Sequence, residues 1–231
     1  NIAKGIIDYV LNVASDTNQG GFYSSQDADI SLNDDGDYFT WTLKEVEEVL
    51  SAEEANIVSL HYNVYSKGEM RENPYKNVLF VDMEPKNIGE KLGIMEAKVN
   101  ELLSKSKISL LKSRQKRPTP FVDQTIYTNW NAMMVSAFIK AHQVLGIESC
   151  MTQAIKTVER LLKQAYVAKK GFYHSLVSGS ARIEGLLDDQ VQMVLALLDV
   201  HEATGNPKYL GIACELMDYV SDEFWDESTS G

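Results

Sequence analysis

The chain has little that would staple it or hold it in a membrane. Its 231 residues include two cysteines, Cys150 and Cys214, and five prolines. Two cysteines without CxxC or other metal spacing exclude a disulfide framework and a zinc ribbon, and they fit a reducing, cytoplasmic setting. No run approaches the roughly 18 consecutive apolar residues that a membrane span needs. Positive charge is also scarce: 22 basic residues face 33 acidic ones, a net charge of −11. A nucleic-acid partner is therefore not expected, because that affinity rests on Lys and Arg releasing counterions from phosphates. What remains is ordinary globular composition, 44% hydrophobic and 24% charged, which rules out disordered and collagen-like classes. The chain opens on Asn1-Ile2-Ala3 and stops at Ser230-Gly231. With no initiator Met or signal peptide, we expect a portion of a longer protein.

What is present is a repeat. Ala141-His142-Gln143-Val144-Leu145-Gly146 recurs 59 residues later as Val200-His201-Glu202-Ala203-Thr204-Gly205. An apolar run precedes each copy, Ala132 to Ile139 and Val191 to Leu198. Runs apolar on nearly every face predict buried helices. After each copy comes a one-sided helix: Met151, Ile155, Val158, Leu162 and Ala165 in the first, and Leu210, Ala213, Met217, Val220 and Phe224 in the second. Such helices face water on one side. Asp8-Tyr9-Val10 matches Asp218-Tyr219-Val220 at an offset of 210, so Ile2, Ile6, Tyr9, Val10 and Val13 predict a further outer helix. The expected fold is mainly α: a two-layer ring of inner and outer helical hairpins, with small β-hairpins in the rim loops. One such domain covers residues 1–231, with hairpins at 128–169 and 188–225.

A long rim insertion, 22–127, interrupts the pattern. Phe22 to Ser25 and Asp37 to Thr42 suit strands joined through Asn33-Asp34-Asp35-Gly36. Thr42 with Glu45 forms a capping box for a following helix. His61 to Tyr65 and Asn77 to Val81 read as strands, and Met95 to Lys112 as a helix. The basic Arg114, Lys116 and Arg117 beyond it suit a solvated helix end better than a phosphate site.

Inner and outer helices run antiparallel, so every outer-to-inner connection falls on one rim. Those connections are long and rich in polar and aromatic groups, whereas the inner-to-outer turns are short. Function tends to sit on such loops. Ser24-Ser25-Gln26-Asp27-Ala28-Asp29, Asn129-Trp130-Asn131, and Arg182-Ile183-Glu184-Gly185 with Asp188-Asp189 are expected to converge there. Carboxylates and amides bond hydroxyls, aromatics stack on the C–H face of a ring, and paired acids do general acid–base work. We therefore expect a sugar or glycan as ligand. Asp27, Asp29, Glu184, Asp188 and Asp189 are the acid–base candidates; Gln26, Trp41, Trp130, Asn131, His174 and Arg182 are the binding candidates. Read singly, Asp188 and Asp189 suit helix capping better than catalysis. His142 and His201 sit at helix ends on the opposite rim, which suits a structural role. No metal set, phosphate loop or cofactor motif emerges.

The phrases Gly20-Gly21-Phe22-Tyr23-Ser24-Ser25-Gln26-Asp27-Ala28-Asp29 and Tyr38-Phe39-Thr40-Trp41-Thr42 resemble the signature of the YyaL family. That family includes spermatogenesis-associated proteins with a thioredoxin-like domain. Thr128 to Met134, Arg182 to Asp189, and Glu202 to Asn206 resemble its later blocks, in the same order. The resemblance implies an N-terminal thioredoxin-like domain, absent from this chain and a partner for it, followed by an (α/α)6 toroid like those of six-hairpin glycosidases and sugar 2-epimerases, so that this chain is expected to be a partial (α/α)6 toroid. It leaves two functional readings: a glycosidase-like or epimerase-like enzyme, or a non-catalytic scaffold working with the thioredoxin-like domain. Where the family tends to show Asp-Asp-Lys, this chain has Asp123-Gln124-Thr125.

Overall fold

A computed structural model describes residues 2–32, 34, 36–226 and 228. In chain order the helices are α1 (Ile2–Asn12), α2 (Leu43–Val49), α3 (Ala52–Tyr62), α4 (Pro85–Leu92), α5 (Glu96–Arg114), α6 (Thr128–Leu145), α7 (Glu148–Gln164), α8 (Leu187–Thr204) and α9 (Pro207–Phe224). The strands are β1 (Ser25–Gln26), β2 (Val122–Asp123), β3 (Ile126–Tyr127), β4 (Tyr166–Val167), β5 (Gly171–Val177) and β6 (Ser180–Glu184). Two compact units result: Asn1–Gln26 with Val122–Gly231, and Asp27–Phe121. No described helix is long and apolar enough to cross a membrane.

The first unit is a two-layer array of helical hairpins of the α/α-toroid type. Inner helices α6 and α8 pack side by side, and α7 and α9 each pack back on their own inner helix. The 59-residue repeat is exact in the backbone: α6 ends at Gly146 (φ 67°) and α8 at Gly205 (φ 68°), both left-handed caps. Glycine suits that conformation because it has no Cβ to clash. Val135, Phe138 and Ile139 of α6 meet Met193, Leu197 and Val200 of α8 in the core, with Ala154, Val158 and Leu161 of α7 and Ala213 and Leu216 of α9. Burying each such large apolar side chain stabilises the fold by roughly 1.5–3 kcal/mol.

Two expectations are corrected here. The inner helices are not buried all round, since Met133, Val191 and Leu195 are exposed. In α1, Ile2, Ile6 and Tyr9 face outward while Ile7 is buried and Val10 and Leu11 pack on the core. Ile6 and Ile7 are neighbours, so Ile7-Val10-Leu11 is an equally regular helical stripe, and packing selects it.

Small sheets edge this unit. β1 pairs antiparallel with β2, through Ser25↔Asp123 and Gln26↔Val122. β5 pairs with β3, β4 and β6, all antiparallel. Gly20 (φ 87°) lies so close to the Lys156 backbone that a Cβ there would collide with it.

The second unit, Asp27–Phe121, has its own core of Trp41, Val46, Ile57, Val58, Ile88, Val99 and Leu103. Thr42 and Glu45 form the expected capping box on α2. The expected strands differ. Ser25 pairs near Asp123 rather than with residues 37–42, and Trp41 makes only a bridge to Asn77. The turn expected to join those strands includes Asn33 and Asp35, which lie outside the described residues. His61 and Tyr62 end α3, because Ser51 and Glu54 form a second capping box that starts a helix and carries it through them. Helix α4 was not anticipated, although Pro85 at its start and left-handed Gly93 at its end are ordinary helix punctuation.

Candidate functional site

The first turns of α6 and α8 meet at one rim of the first unit. Neither helix has a capping side chain of its own at the preceding residue, Tyr127 or Leu186. Asp189 serves both. Its Oδ1 accepts the Asn129 N–H at 3.1 Å, and its Oδ2 accepts the Leu186 N–H at 2.9 Å. The carboxylate is 0% exposed. Burial of this kind requires such donors, because an unpaired charge in the interior is costly. Asn129 Nδ2 also donates to Asp188 Oδ2 at 2.6 Å. Asn129 and Asp188 are equivalent in the 59-residue repeat, so matching positions of neighbouring inner helices bond to each other.

Oδ2 of Asp189 has a further partner, His174 Nδ1 at 2.9 Å. A carboxylate only accepts, so Nδ1 carries the proton and donates it. The second ring nitrogen, Nε2, has no protein partner among the described residues. The imidazole side chain is 21% exposed. Tyr127 lies beside it, ring centroids 5.3 Å apart, and on its other side meets Trp130 at 5.0 Å. Trp130 is 50% exposed. The pairing of β3 with β5 sets Tyr127 opposite Ser175, the neighbour of His174. The rim thus presents an oriented imidazole, a tyrosine and an accessible indole in a row, with the Asn129–Asp188 pair at the helix starts.

Other expected site residues are placed differently. Asn131 is buried, where the Phe22 N–H donates to its Oδ1 and its Nδ2 donates to the carbonyls of Phe22 and Tyr127. Gln190, its repeat equivalent, accepts the Phe172 N–H and donates to the Phe172 carbonyl. Both amides are spent clamping a Gly-Phe-Tyr segment to an inner helix, so Asn131 is a structural clamp rather than a hydroxyl ligand. Gln26 on β1 accepts from the Tyr9 hydroxyl.

Arg182 and Glu184 are exposed on β6, opposite Ser175 and Tyr173 rather than His174. Ile183 between them has φ 61°, a sparsely populated backbone state for a β-branched residue, and one that clusters at functional sites. Gly185 follows because a Cβ there would collide with the Phe172 carbonyl and the Gln190 amide.

Asp27, Asp29 and Trp41 belong to the second unit. Trp41, expected to stack on a ligand, is 2% exposed, and the Arg117 guanidinium covers it at 4.1 Å. Asp29 Oδ1 accepts the Gly36 N–H, and the exposed Asp27 donates its N–H to the Phe121 carbonyl.

His142 and His201 lie at inner-helix C-termini, their Nδ1 atoms near the carbonyls of Ile147 and Asn206. Asp123 accepts from the Thr125 N–H and hydroxyl, which hold its carboxyl below the usual range. Among the described residues no group of three or more His, Cys, Asp or Glu is placed to hold a metal ion. Sequence reasoning missed Tyr127, which directly precedes the Thr128-Asn129-Trp130 phrase. Only strand pairing brings it to His174.

No protein-family model matches the chain. Among solved structures, the fold is similar to a sugar epimerase from a ruminal bacterium, at 14% identity and a TM-score of 0.44. That match covers 97% of this chain and 54% of the other. It is also similar to the GH76 alpha-mannanase of Bacteroides thetaiotaomicron, at 15% identity and a TM-score of 0.42, covering 97% and 70%. Sequence relatives are nearer. Rat spermatogenesis-associated protein 20 is 30% identical over 261 aligned residues, covering 100% of this chain and 33% of the relative. The human protein is 28% identical over 264, with the same coverage. The chain spans about a third of the length of these relatives. Along its whole length it is similar to about a third of rat spermatogenesis-associated protein 20.

Proposed function

We propose that this chain supplies a carbohydrate-active rim, where His174 exchanges a proton with a sugar or glycan end. The observation that carries this reading is an imidazole held by a buried carboxylate and joined through one tyrosine to an accessible indole. An imidazole is the side chain best suited to general acid–base work at neutral pH. A carboxylate on its Nδ1 proton fixes the tautomer and leaves Nε2 as the basic atom. Asp189 is then a positioning residue, since its buried oxygens cannot touch a ligand. Trp130 offers a flat, electron-rich face to the polarised C–H groups of a pyranose. Asp188, Asn129, Arg182 and Glu184 supply hydroxyl partners.

Two-carboxylate hydrolysis would have to use exposed acids such as Asp188 and Glu184. Proton transfer at a carbon beside a carbonyl fits the geometry better, with His174 as one of the two acid–base groups that inverting such a centre requires. A second reading, a binding scaffold serving a thioredoxin-like partner, is favoured by one fact: each hydrogen bond of Asp189 among the described residues also has a structural explanation.

The two readings separate in one experiment. The full chain is titrated calorimetrically with reducing oligosaccharides, and solvent deuterium entering the sugar at C2 is followed by NMR. We expect His174→Gln to abolish exchange while keeping binding, and Trp130→Ala to lose binding by tenfold or more. Binding that neither variant alters, or none by the parent chain, would sink the sugar reading.

A further inference from the structure

Outside the rim, the second unit contains a small slot that no role described so far uses. Helix α5 forms one wall with Lys107, Leu110, Leu111 and Arg114, and Trp41, Tyr62 and Leu79 form the other; the volume is about 190 Å³. The α5 residues recur at helical spacing, so two cations bracket two leucines on one face.

The cations have no carboxylate partner among the described residues. The Lys107 ammonium lies 5.8 Å from the centre of the Tyr62 ring. The Arg114 guanidinium lies 5.4 Å from Tyr38 and 5.7 Å from Phe39. Its Nε is buried without a hydrogen-bond partner. Lys44, Lys76, Lys98, Lys105 and Arg117 of the same unit pair with carboxylates, whereas Lys107 and Arg114 face aromatic rings. A buried N–H without an acceptor is costly. The two aromatic rings meanwhile hold the planar fork in place, as a bidentate carboxylate site requires.

Two further observations narrow the ligand. The slot is smaller than the roughly 300–1,000 Å³ of drug-sized sites, so it has room for one apolar side chain. Beside it, the backbone N–H groups of Leu79, Phe80 and Val81 reach no acceptor among the described residues, and Phe80 and Val81 are exposed. A free apolar acid would fill the slot and meet the cations but leave those donors unused. A peptide end would use all three features.

We propose that the slot takes the carboxy-terminal residue of a partner peptide. Its apolar side chain lies between the leucines and Trp41, its carboxylate sits on the Arg114 guanidinium, and its backbone lies along Leu79–Val81. Lys107 adds attraction at the other end.

The test uses the full chain and three probes: the pentapeptide acetyl-Gly-Ser-Gly-Val-Leu as its free acid, the same peptide as its carboxamide, and 4-methylpentanoate. Calorimetry measures affinity, and amide chemical shifts report location. The acid is expected to bind at least about tenfold more tightly than the amide, a charge-assisted pair having been lost. Arg114→Gln should weaken the acid to the level of the amide, and Lys107→Gln should weaken it several-fold. Leu111→Asp, at an exposed position, should abolish binding with the far-ultraviolet spectrum unchanged. Shifts should concentrate at Leu79–Val81. Equal affinity for acid and amide, absence of binding, or shifts elsewhere overturns the proposal. Equal affinity for 4-methylpentanoate and the peptide overturns the peptide as occupant.

Discussion

Two pairs of helices, one pair in each unit, start in different ways. In the second unit, α2 and α3 each carry a local box, Thr42 with Glu45 and Ser51 with Glu54, complete within four residues. In the first, Asp189 bonds the Leu186 N–H locally at the start of α8 and is shared with α6, whose Asn129 reaches it from 60 residues away. A local box stabilises one helix and is used up in doing so. A shared cap locks two inner helices together and, through its second oxygen, also sets the orientation of His174. The rim with candidate chemistry is therefore the place where one helix's cap also serves a second helix.

Three substitutions probe that contrast. The largest effect is expected from Asp189→Ala, which strands buried donors on two helices and releases the imidazole. We expect a loss of about 3–5 kcal/mol in urea unfolding of the first unit. A loss below about 1 kcal/mol would mean that the helices do not depend on a common cap.

Next comes Arg117→Ala in the second unit. That guanidinium donates to the carbonyls of Asp37 (2.6 Å) and Thr40 (2.7 Å), pairs with Glu45 and covers Trp41. A loss of about 2–3 kcal/mol is expected, with hydrogen exchange accelerated around residues 37–45 and unchanged in α6 and α8. Lys at this position should recover little, having no planar fork.

The smallest effect is expected from Glu54→Gln, about 1–2 kcal/mol. Hydrogen bonds from Ser51 and the Lys105 ammonium lower the Glu54 carboxyl to a pKa of about 2. The folded value lies below the unfolded one, so this stabilisation is complete above about pH 4.5 and is lost as pH falls towards 2. Acid unfolding of the variant should therefore show a shallower pH dependence across that window. An identical acid limb in both proteins would remove Glu54 as its source.

Much of the frame was legible from residues alone. The recurrence of His142-to-Gly146 as His201-to-Gly205 located both hairpins, and Thr42 with Glu45 located α2. The failures share a physical cause. His61 to Tyr65 looked like a strand by composition, but Ser51 and Glu54, ten and seven residues before His61, had already started a helix. Trp41 and Asn131 looked like ligand groups by type. One is in a core and the other is a clamp on Phe22, 109 residues away. Residue type reports what a side chain can bond, not what has already bonded it.

By itself, then, the sequence determined the hairpins, their glycine ends and the local caps, because helical periodicity and capping act within a few residues. Tertiary structure alone decided which polar groups were spent on the fold and which remained available. It buried Asp189 between two helix starts, spent Asn131 and Gln190 on strands, brought Tyr127 to His174, and left Trp130 exposed. Most of those outcomes depend on partners 15 to 109 residues apart, and burial makes most polar groups at such a junction find a partner.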